Sequence, residues 1–533
     1  MLSKLSILIL LVFCIFLFFW KLDSVPPGFY IDESMHSYNA LSILETGKDE
    51  YGKSYPVLFR FYGSYNEPLY IYLTSVSIYL FGDNIFGARF ISALAGISSV
   101  FLFYFFIYVI TKNKITSFFF ALFAATNPWL LFYSRIGYEV ATGFFLFFLG
   151  VFCFYLSFNK PKLIFLAYII FSLSTYAAYT ERFVSPLLAI VLTLIFKKHL
   201  SGKFNRKYFL LGIAGAAIIQ LPHLVMLFTP AFFQKGDLFS AGLPLLVFIR
   251  EFFSQYINYF SPEALFFKPD PDMQRSLPEI SVFHLWMVVP YFIGWYFVFK
   301  NRSSKLSKIL ITSALITPIP AALTHDPFAT HRAMPLLGPQ LLIIGIGINK
   351  TFEFLKPKFG WLILLLLFFL SGLFLWRSYF VLFPGERSYY WGEQYVELSK
   401  IIIQKPETHF VIDQGRLKTA YATIAYFTKI DPVIFQKSTG DTIKNNYYSA
   451  LPYNHNYYFA NVELRPLNWE SDIYKDQILV GDTLSISQGQ VEEHFLKKEF
   501  EIQDPLGETL LQGFRTNPKL KCKIQYTNTD CEN

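Results

Sequence analysis

The chain has 533 residues, of which 53% are hydrophobic, 20% aromatic and 16% charged. Soluble domains carry about 25% charged residues, so this composition argues against a chain soluble throughout, and four Cys exclude a disulfide-built scaffold. The net charge of +8 belongs to the apolar part: residues 1–378 hold 30 Lys and Arg against 18 Asp and Glu, and residues 379–533 hold 16 against 20.

A bilayer crossing needs about 17–25 apolar residues. The first candidate runs from Leu5 to Trp20 behind Lys4, without a small-residue cleavage site, and reads as an uncleaved membrane helix. Further candidates fall near 85–110, 116–132, 138–158, 162–178, 182–196, 208–229, 282–299, 307–323, 332–349 and 359–378. That gives about 11 spans. A further stretch at 68–82 is short and aromatic, and reads as a segment lying along the interface.

Charge sidedness orients this array. Together with Lys4, the loops around 112–114, 159–162, 197–207, 300–308 and 349–358 hold 17 basic residues and one acid, Glu353. The expectation is a multi-pass cell-membrane protein with a cytoplasmic N-terminus. Two regions follow: 1–378, with large outer loops at 21–84 and 230–281, and an extracytoplasmic α/β domain at 379–533. That domain mixes strand patterns (409–413, 457–464, 477–482) with a helical stretch at 416–429. Cys522 and Cys531 lie in it and are candidates for a disulfide, whereas Cys14 and Cys153 read as packing residues within spans.

The chemistry is expected on the outer face. In PPGFYIDESMHSYNALSILETGK (26–48), Pro26, Pro27 and Gly28 turn the chain and a helical pattern runs on to Gly47. Asp32 stands where a helix cap belongs. Its plainer reading is that cap; its functional reading is a carboxylate acting as general base. Glu33 and His36 share its helical face, and a metal pair there stays open. Glu67 precedes Pro68, and Arg89 sits at the mouth of the next span. Outer turns carry Arg135 with Glu139, and Glu181 with Arg182. A lone Arg at a helix end usually snorkels to headgroups, but so many on one face suggest anion binding. The loop near 253–276 holds Lys268, Asp270, Asp272 and Arg275, and His325, Asp326, His331 and Arg332 crowd a late span mouth. The His spacing matches no zinc pattern, and Arg332 suits a fixed charge on phosphate. No P-loop, dinucleotide fingerprint or HExxH stands in a suitable context.

Taken together, Asp32–Glu33, N-E-P-L-Y-I-Y-L (66–73) followed by F-G-A-R-F (86–90), R-x-x-Y-E (135–139) and H-R-x-M-P-L-L-x-P (331–339) resemble the GT-C membrane glycosyltransferases. The likeness covers about residues 20–345 and is strongest to bacterial relatives of protein O-mannosyltransferases and of the lipid A aminoarabinose transferase. It implies a polytopic helical fold and an inverting transferase using a polyprenyl-phosphate sugar. It maps the family's loop aspartate onto Asp32, and the donor-phosphate contacts onto Arg275 and Arg332, with Arg89, Arg135, Glu139 and Arg182 as further substrate-binding candidates. His36, Glu67, His325, Asp326 and His331 are candidates for acceptor or metal contacts. Aminoarabinose transferases have Lys-Pro-Pro where this chain has Asn66-Glu67-Pro68, which argues against lipid A as acceptor. Expected partners are the lipid-linked donor, membrane lipids and an acceptor of unspecified class, with no nucleic acid. The rival readings are a lipid-linked glycan polymerase or ligase and, further off, a transporter. Transporters bind near the membrane midplane, whereas these charges gather at one mouth.

Overall fold

The computed structural model describes residues 2–234, 244–324, 326–354, 357–415, 420–438, 441–449, 456–524 and 531. Each apolar stretch read above coincides with a helix or a pair of helices. Among the described residues, Ile85–Thr111 and Leu362–Arg387 are long and apolar enough to cross a bilayer unbroken. Lys114–Ala125 and Pro128–Ser134 together meet the same test but are bent by 60° at the break. The cause is local. Pro128 starts the second piece, and the Asn127 side chain caps it by accepting from Leu130 N at 3.0 Å. The same side chain donates to the Val282 carbonyl at 3.0 Å, which fixes the bend against the segment ahead of the helix Leu285–Lys300. The remaining apolar helices are shorter, among them Val140–Leu156 and Lys162–Ser174.

The stretch at 68–82 forms the helix Pro68–Phe81. Fourteen residues rise about 21 Å, short of the hydrocarbon core. Tyr70 and Ile71 are buried at its start, and Val76, Tyr79, Leu80 and Phe81 are exposed towards its end. An amphipathic helix, Leu245–Asn258, has no buried residue and exposes Leu245, Leu246, Ile249, Phe253 and Ile257. Such a stripe suits a membrane interface.

The C-terminal region carries a six-stranded mixed sheet. Its spatial order is Tyr457–Phe459, Val462–Arg465, Phe410–Asp413, Ile478–Gly481, Thr509–Arg515 and Lys497–Gln503. Phe410–Asp413 runs parallel to both its neighbours, and the outer pairs are antiparallel. The stretch read as one strand at 457–464 is a hairpin that turns at Ala460 (φ +50°). The helix expected at 416–429 is observed as Tyr421–Phe427, and residues 416–419 lie outside the described residues. Cys522 and Cys531 are joined by a disulfide with their Cα atoms 5.5 Å apart, and Cys14 and Cys153 are buried thiols.

This sheet is not a module hung on a stalk. Phe29, Met35, Tyr38, Leu41, Phe59 and Ile71, from the stretch between the helices Leu2–Phe19 and Ile85–Thr111, share one apolar core with Leu398, Phe410, Tyr421, Ile424 and Leu464. A buried polar seam runs beside that core. Asp49 accepts from Tyr51 N at 3.1 Å, from Lys53 N at 2.8 Å and from the Tyr447 hydroxyl, and Glu50 accepts from the Tyr421 hydroxyl at 3.1 Å. Burial pushes the Asp49 carboxyl up to about 6 from an ordinary 3.8 and raises that of Glu50, which Asp49 raises further. The folded state therefore holds these protons more tightly than the unfolded chain. For Asp49 this stability is full below about pH 4 and is lost as pH rises through about 6, about 3 kcal/mol for its shift. Thermal unfolding between pH 4 and 7 is expected to show a falling midpoint, with a shallower fall in Asp49→Asn. Parallel profiles would remove Asp49 as the source.

Candidate active site

Turns between the helices converge on one cavity of about 340 Å³. Asp32 enters it from the first turn of the helix Ile31–Thr46, and Tyr30 lies beside it. Tyr138 and Glu139 come from the turn after Pro128–Ser134, and Thr180 and Glu181 from the start of Tyr179–Ile195. Asp272 and Arg275 come from the second large loop, and His331 and Arg332 from the turn before the helix Leu337–Phe354. Residues far apart in the chain thus bring the carboxylates Asp32, Glu139, Glu181 and Asp272 and the basic groups Arg275, His331 and Arg332 to one cavity.

The structure corrects the capping reading of Asp32. The helix begins at Ile31, and Glu33, three residues past the cap position, reaches back to accept from Tyr30 N at 3.1 Å. Asp32 is left half-buried at the cavity wall.

Glu33 itself faces away and is fully buried. Arg89 Nε donates to its Oε1 at 2.7 Å and Nη2 to its Oε2 at 3.1 Å. Arg89 also donates to the carbonyls of Leu22 and Pro26 at 2.9 Å and of Gly28 at 2.8 Å. All five guanidinium donors are used. Gly137 N donates to Glu33 Oε1 at 2.7 Å, and a side chain at Gly137 would press on that carboxylate. Glu33 and Arg89 therefore tie three outer segments together and do not line the cavity.

Arg135 and Arg182 have similar places. Arg135 donates to the carbonyls of Leu17 at 2.7 Å, Trp20 at 2.8 Å and Val25 at 3.0 Å, and its guanidinium lies over the Phe380 ring. Arg182 pairs with the buried Glu67 and donates to the Phe232 carbonyl at 2.8 Å, with His223 Nε2 3.7 Å from the other Glu67 oxygen. In the YTER turn it is Glu181 that lines the cavity. His36 is buried behind the wall with Nε2 3.0 Å from Glu139 Oε2.

The basic edge is ordered by acids. Arg275 Nε lies 3.0 Å from Asp272 Oδ2 and 3.6 Å from Asp270 Oδ2, and Nη1 donates to Asp326 Oδ2 at 3.2 Å. Burial works against the Arg275 charge, but Asp270, Asp272 and Asp326 outweigh it and hold its pKa above the ordinary value. Burial also raises the Asp270 carboxyl, although Arg275 and Thr330 hold it from either side, the Thr330 hydroxyl at 2.8 Å. Arg275 Nη1 lies 3.0 Å from His331 Nδ1. An Arg nitrogen can only donate, so this geometry assigns the His331 ring proton to Nε2. Arg332 Nη1 donates to Asp326 Oδ2 at 3.0 Å, and its side chain is the more exposed of the two arginines.

His325 lies outside the described residues. Among those described, no three His, Cys, Asp or Glu side chains are grouped closely enough to hold a metal. Asp270, Asp326, Tyr30 and Tyr138 complete the site. The first two were visible as charges next to Arg275 and Arg332, whereas the tyrosines had no signal in a chain with 35 of them.

The fold has known counterparts. The chain is similar to ArnT from Cupriavidus metallidurans in the apo state, with a TM-score of 0.55 at 11% identity, covering 98% of this chain and 99% of that one. It is likewise similar to the same protein bound to undecaprenyl phosphate (TM-score 0.54, 12% identity, 95% and 97% covered). A further match is the archaeal oligosaccharyltransferase AglB from Archaeoglobus fulgidus, in complex with an inhibitory peptide and a dolichol-phosphate (TM-score 0.52, 12% identity, 97% and 74% covered). This is the polytopic helical fold of the GT-C membrane glycosyltransferases. Residues 66–226 match the family described as dolichyl-phosphate-mannose-protein mannosyltransferase. That match spans under a third of the chain, so the comparisons show the GT-C fold over the whole chain and a likeness to this transferase family over residues 66–226. No curated protein sequence matches it.

Proposed function

We propose that the chain transfers a sugar from a polyprenyl-phosphate donor to an acceptor hydroxyl in this cavity, with inversion at the anomeric carbon. The reading is carried by one observation: the cavity holds Asp32 together with Arg275, His331 and Arg332. Asp32 takes the acceptor proton as the acceptor oxygen bonds to the anomeric carbon. The bond from that carbon to the phosphate oxygen breaks, and its electron pair leaves with the lipid phosphate. Arg332 and the Arg275–His331 pair stabilise the phosphate charge as it develops, which a cation unable to lose its proton does without pH tuning. Glu139 and Glu181 serve substrate hydroxyls. Glu33, Arg89, Arg135, Arg182 and Glu67 are positioning residues, because they are buried and most of their polar atoms hold segments together.

The about 11 spans, the cytoplasmic N-terminus and the outer placement of the cavity belong to the same proposal, supported by the partition of 17 basic loop residues from the acids. The phosphate assignment is tested with undecaprenyl phosphate titrated into purified protein. Arg332→Gln is expected to weaken binding about tenfold or more, as loss of a charge-assisted contact implies, with the unfolding midpoint unchanged. Unchanged affinity in Arg332→Gln would remove Arg332 from the phosphate site.

A further inference from the structure

A second cavity, of about 200 Å³, is lined in part by chain neighbours of residues that line the first. Tyr30 and Asp32 line the first cavity, and Phe29 and Ile31 line the second; Asp272 and Arg275 line the first, and Gln274 the second. The far side comes from the chain entering the C-terminal domain, with Tyr389, Tyr390, Gln394 and Tyr395. That side is docked tightly on the segment bearing Asp32. Phe29 N donates to the Trp391 carbonyl at 2.7 Å, and a Cβ at Gly28 (φ +62°) would collide with the backbone of Trp391 and Glu393.

The lining is chemically distinctive. Among the described residues no charged side chain contributes to it, which disfavours a phosphate, a carboxylate or a cation as occupant. The rings of Tyr389 and Tyr390 are 44% and 38% exposed and lie nearly perpendicular, at 84°. Behind them Gln394 and Tyr395 are only 2% and 6% exposed, yet the Gln394 side-chain oxygen and the Tyr395 hydroxyl have no hydrogen-bond partner among the described residues. Buried polar atoms left unmatched are costly and call for a partner. An aromatic face beside an amide and a phenol suits a neutral sugar ring, whose C–H face stacks while its hydroxyls both donate and accept.

We propose that this cavity is a saccharide subsite and that the acceptor is a glycan or glycoside, one sugar ring of which is held by Tyr390, Gln394 and Tyr395. The assignment to the acceptor rests on the transferase reading, since the donor sugar must lie with its phosphate in the first cavity. The saccharide chemistry does not depend on that reading.

The test is saturation-transfer NMR on the full-length protein in a non-glycosidic detergent, with the methyl glycosides of glucose, galactose, mannose and N-acetylglucosamine. At least one is expected to bind. Tyr390→Ala and Gln394→Leu should each weaken it about tenfold, and Asp32→Asn should leave it unchanged. In the transfer assay the same two variants should raise KM for the acceptor and not for the donor. Absence of binding by all four glycosides, binding unaffected by both variants, or a rise confined to the donor KM would each overturn the subsite. Glycoside binding that depends on Tyr390 and Gln394, in a protein that transfers nothing from any lipid-linked sugar, would support the subsite and remove the transferase reading. Transfer by a protein that binds none of these glycosides would do the reverse.

Discussion

Asp32→Asn is expected to lower sugar transfer by about 10²–10⁴-fold, the usual worth of a positioned general base. The fold and lipid-phosphate binding should remain intact. The substitution keeps the volume and removes only the proton acceptor. It is mild structurally because Asp32 does not cap its helix; Glu33 reaches back to Tyr30 N instead. Tyr30 does not replace it, since burial, with Asp32 next to it, holds the Tyr30 hydroxyl well above the ordinary phenol pKa. Turnover under saturating donor and acceptor, measured next to undecaprenyl phosphate affinity, separates the outcomes. Full turnover in the variant would remove Asp32 as base. Lost turnover together with lost binding would point to a role in the donor site.

Arg89→Met carries the largest expected effect on stability. It removes a guanidinium that is fully buried and uses all five donors. What remains is a buried Glu33 carboxylate without its cation and three backbone carbonyls without donors. Breaking one side of such a pair costs about 3–5 kcal/mol, a large part of a typical folding free energy. The damage would fall on the segment 22–33 that carries Asp32, so residual activity should drop with stability. Glu33→Gln is expected to be milder, because the amide oxygen can still accept from Arg89. The double variant should cost less than the two single changes added together, as groups in direct contact do. Additive losses, read from thermal unfolding of the purified proteins, would mean that the two residues act separately.

These two residues also show what a linear reading of the chain conveys and what it does not. Asp32 and Glu33 are adjacent, acidic and near a turn, and nothing in their types separates a cavity residue from a clamp. The distinction comes from Arg89, which is 56 positions away and lies on another helix. The same holds for the arginines at the helix ends. Their places between apolar stretches could be read from the chain, but whether a guanidinium faces the cavity or a ring of carbonyls depends on tertiary packing. Arg135 is spent on Leu17, Trp20 and Val25. The apolar stretches were legible because bilayer length and 3.6-residue periodicity leave a strong signal. The bend at Asn127–Pro128 was not read, since 116–132 stood as one span, although an N-cap residue ahead of a proline marks it locally.

The C-terminal sheet was less legible. Thr509–Arg515 and Lys497–Gln503 had no reading, and the second, KKEFEIQ, is mostly charged and lies at a solvent-facing edge with little burial. Nor could the sequence show that Phe29, Tyr38 and Phe59 share a core with Phe410 and Tyr421. That shared core matters for function. It fixes the C-terminal domain against the segment bearing Asp32, so that whatever the domain holds is held in register with the reaction.

The central claim is an inverting displacement on a lipid-phosphate sugar in the first cavity. The most direct measurement is the anomeric configuration of the product, by proton NMR, after incubation of the reconstituted protein with a β-linked polyprenyl-phosphate sugar and an acceptor glycoside. The account predicts an α-linked product whose formation is lost in Asp32→Asn; a β-linked product, or transfer undiminished in that variant, would contradict it.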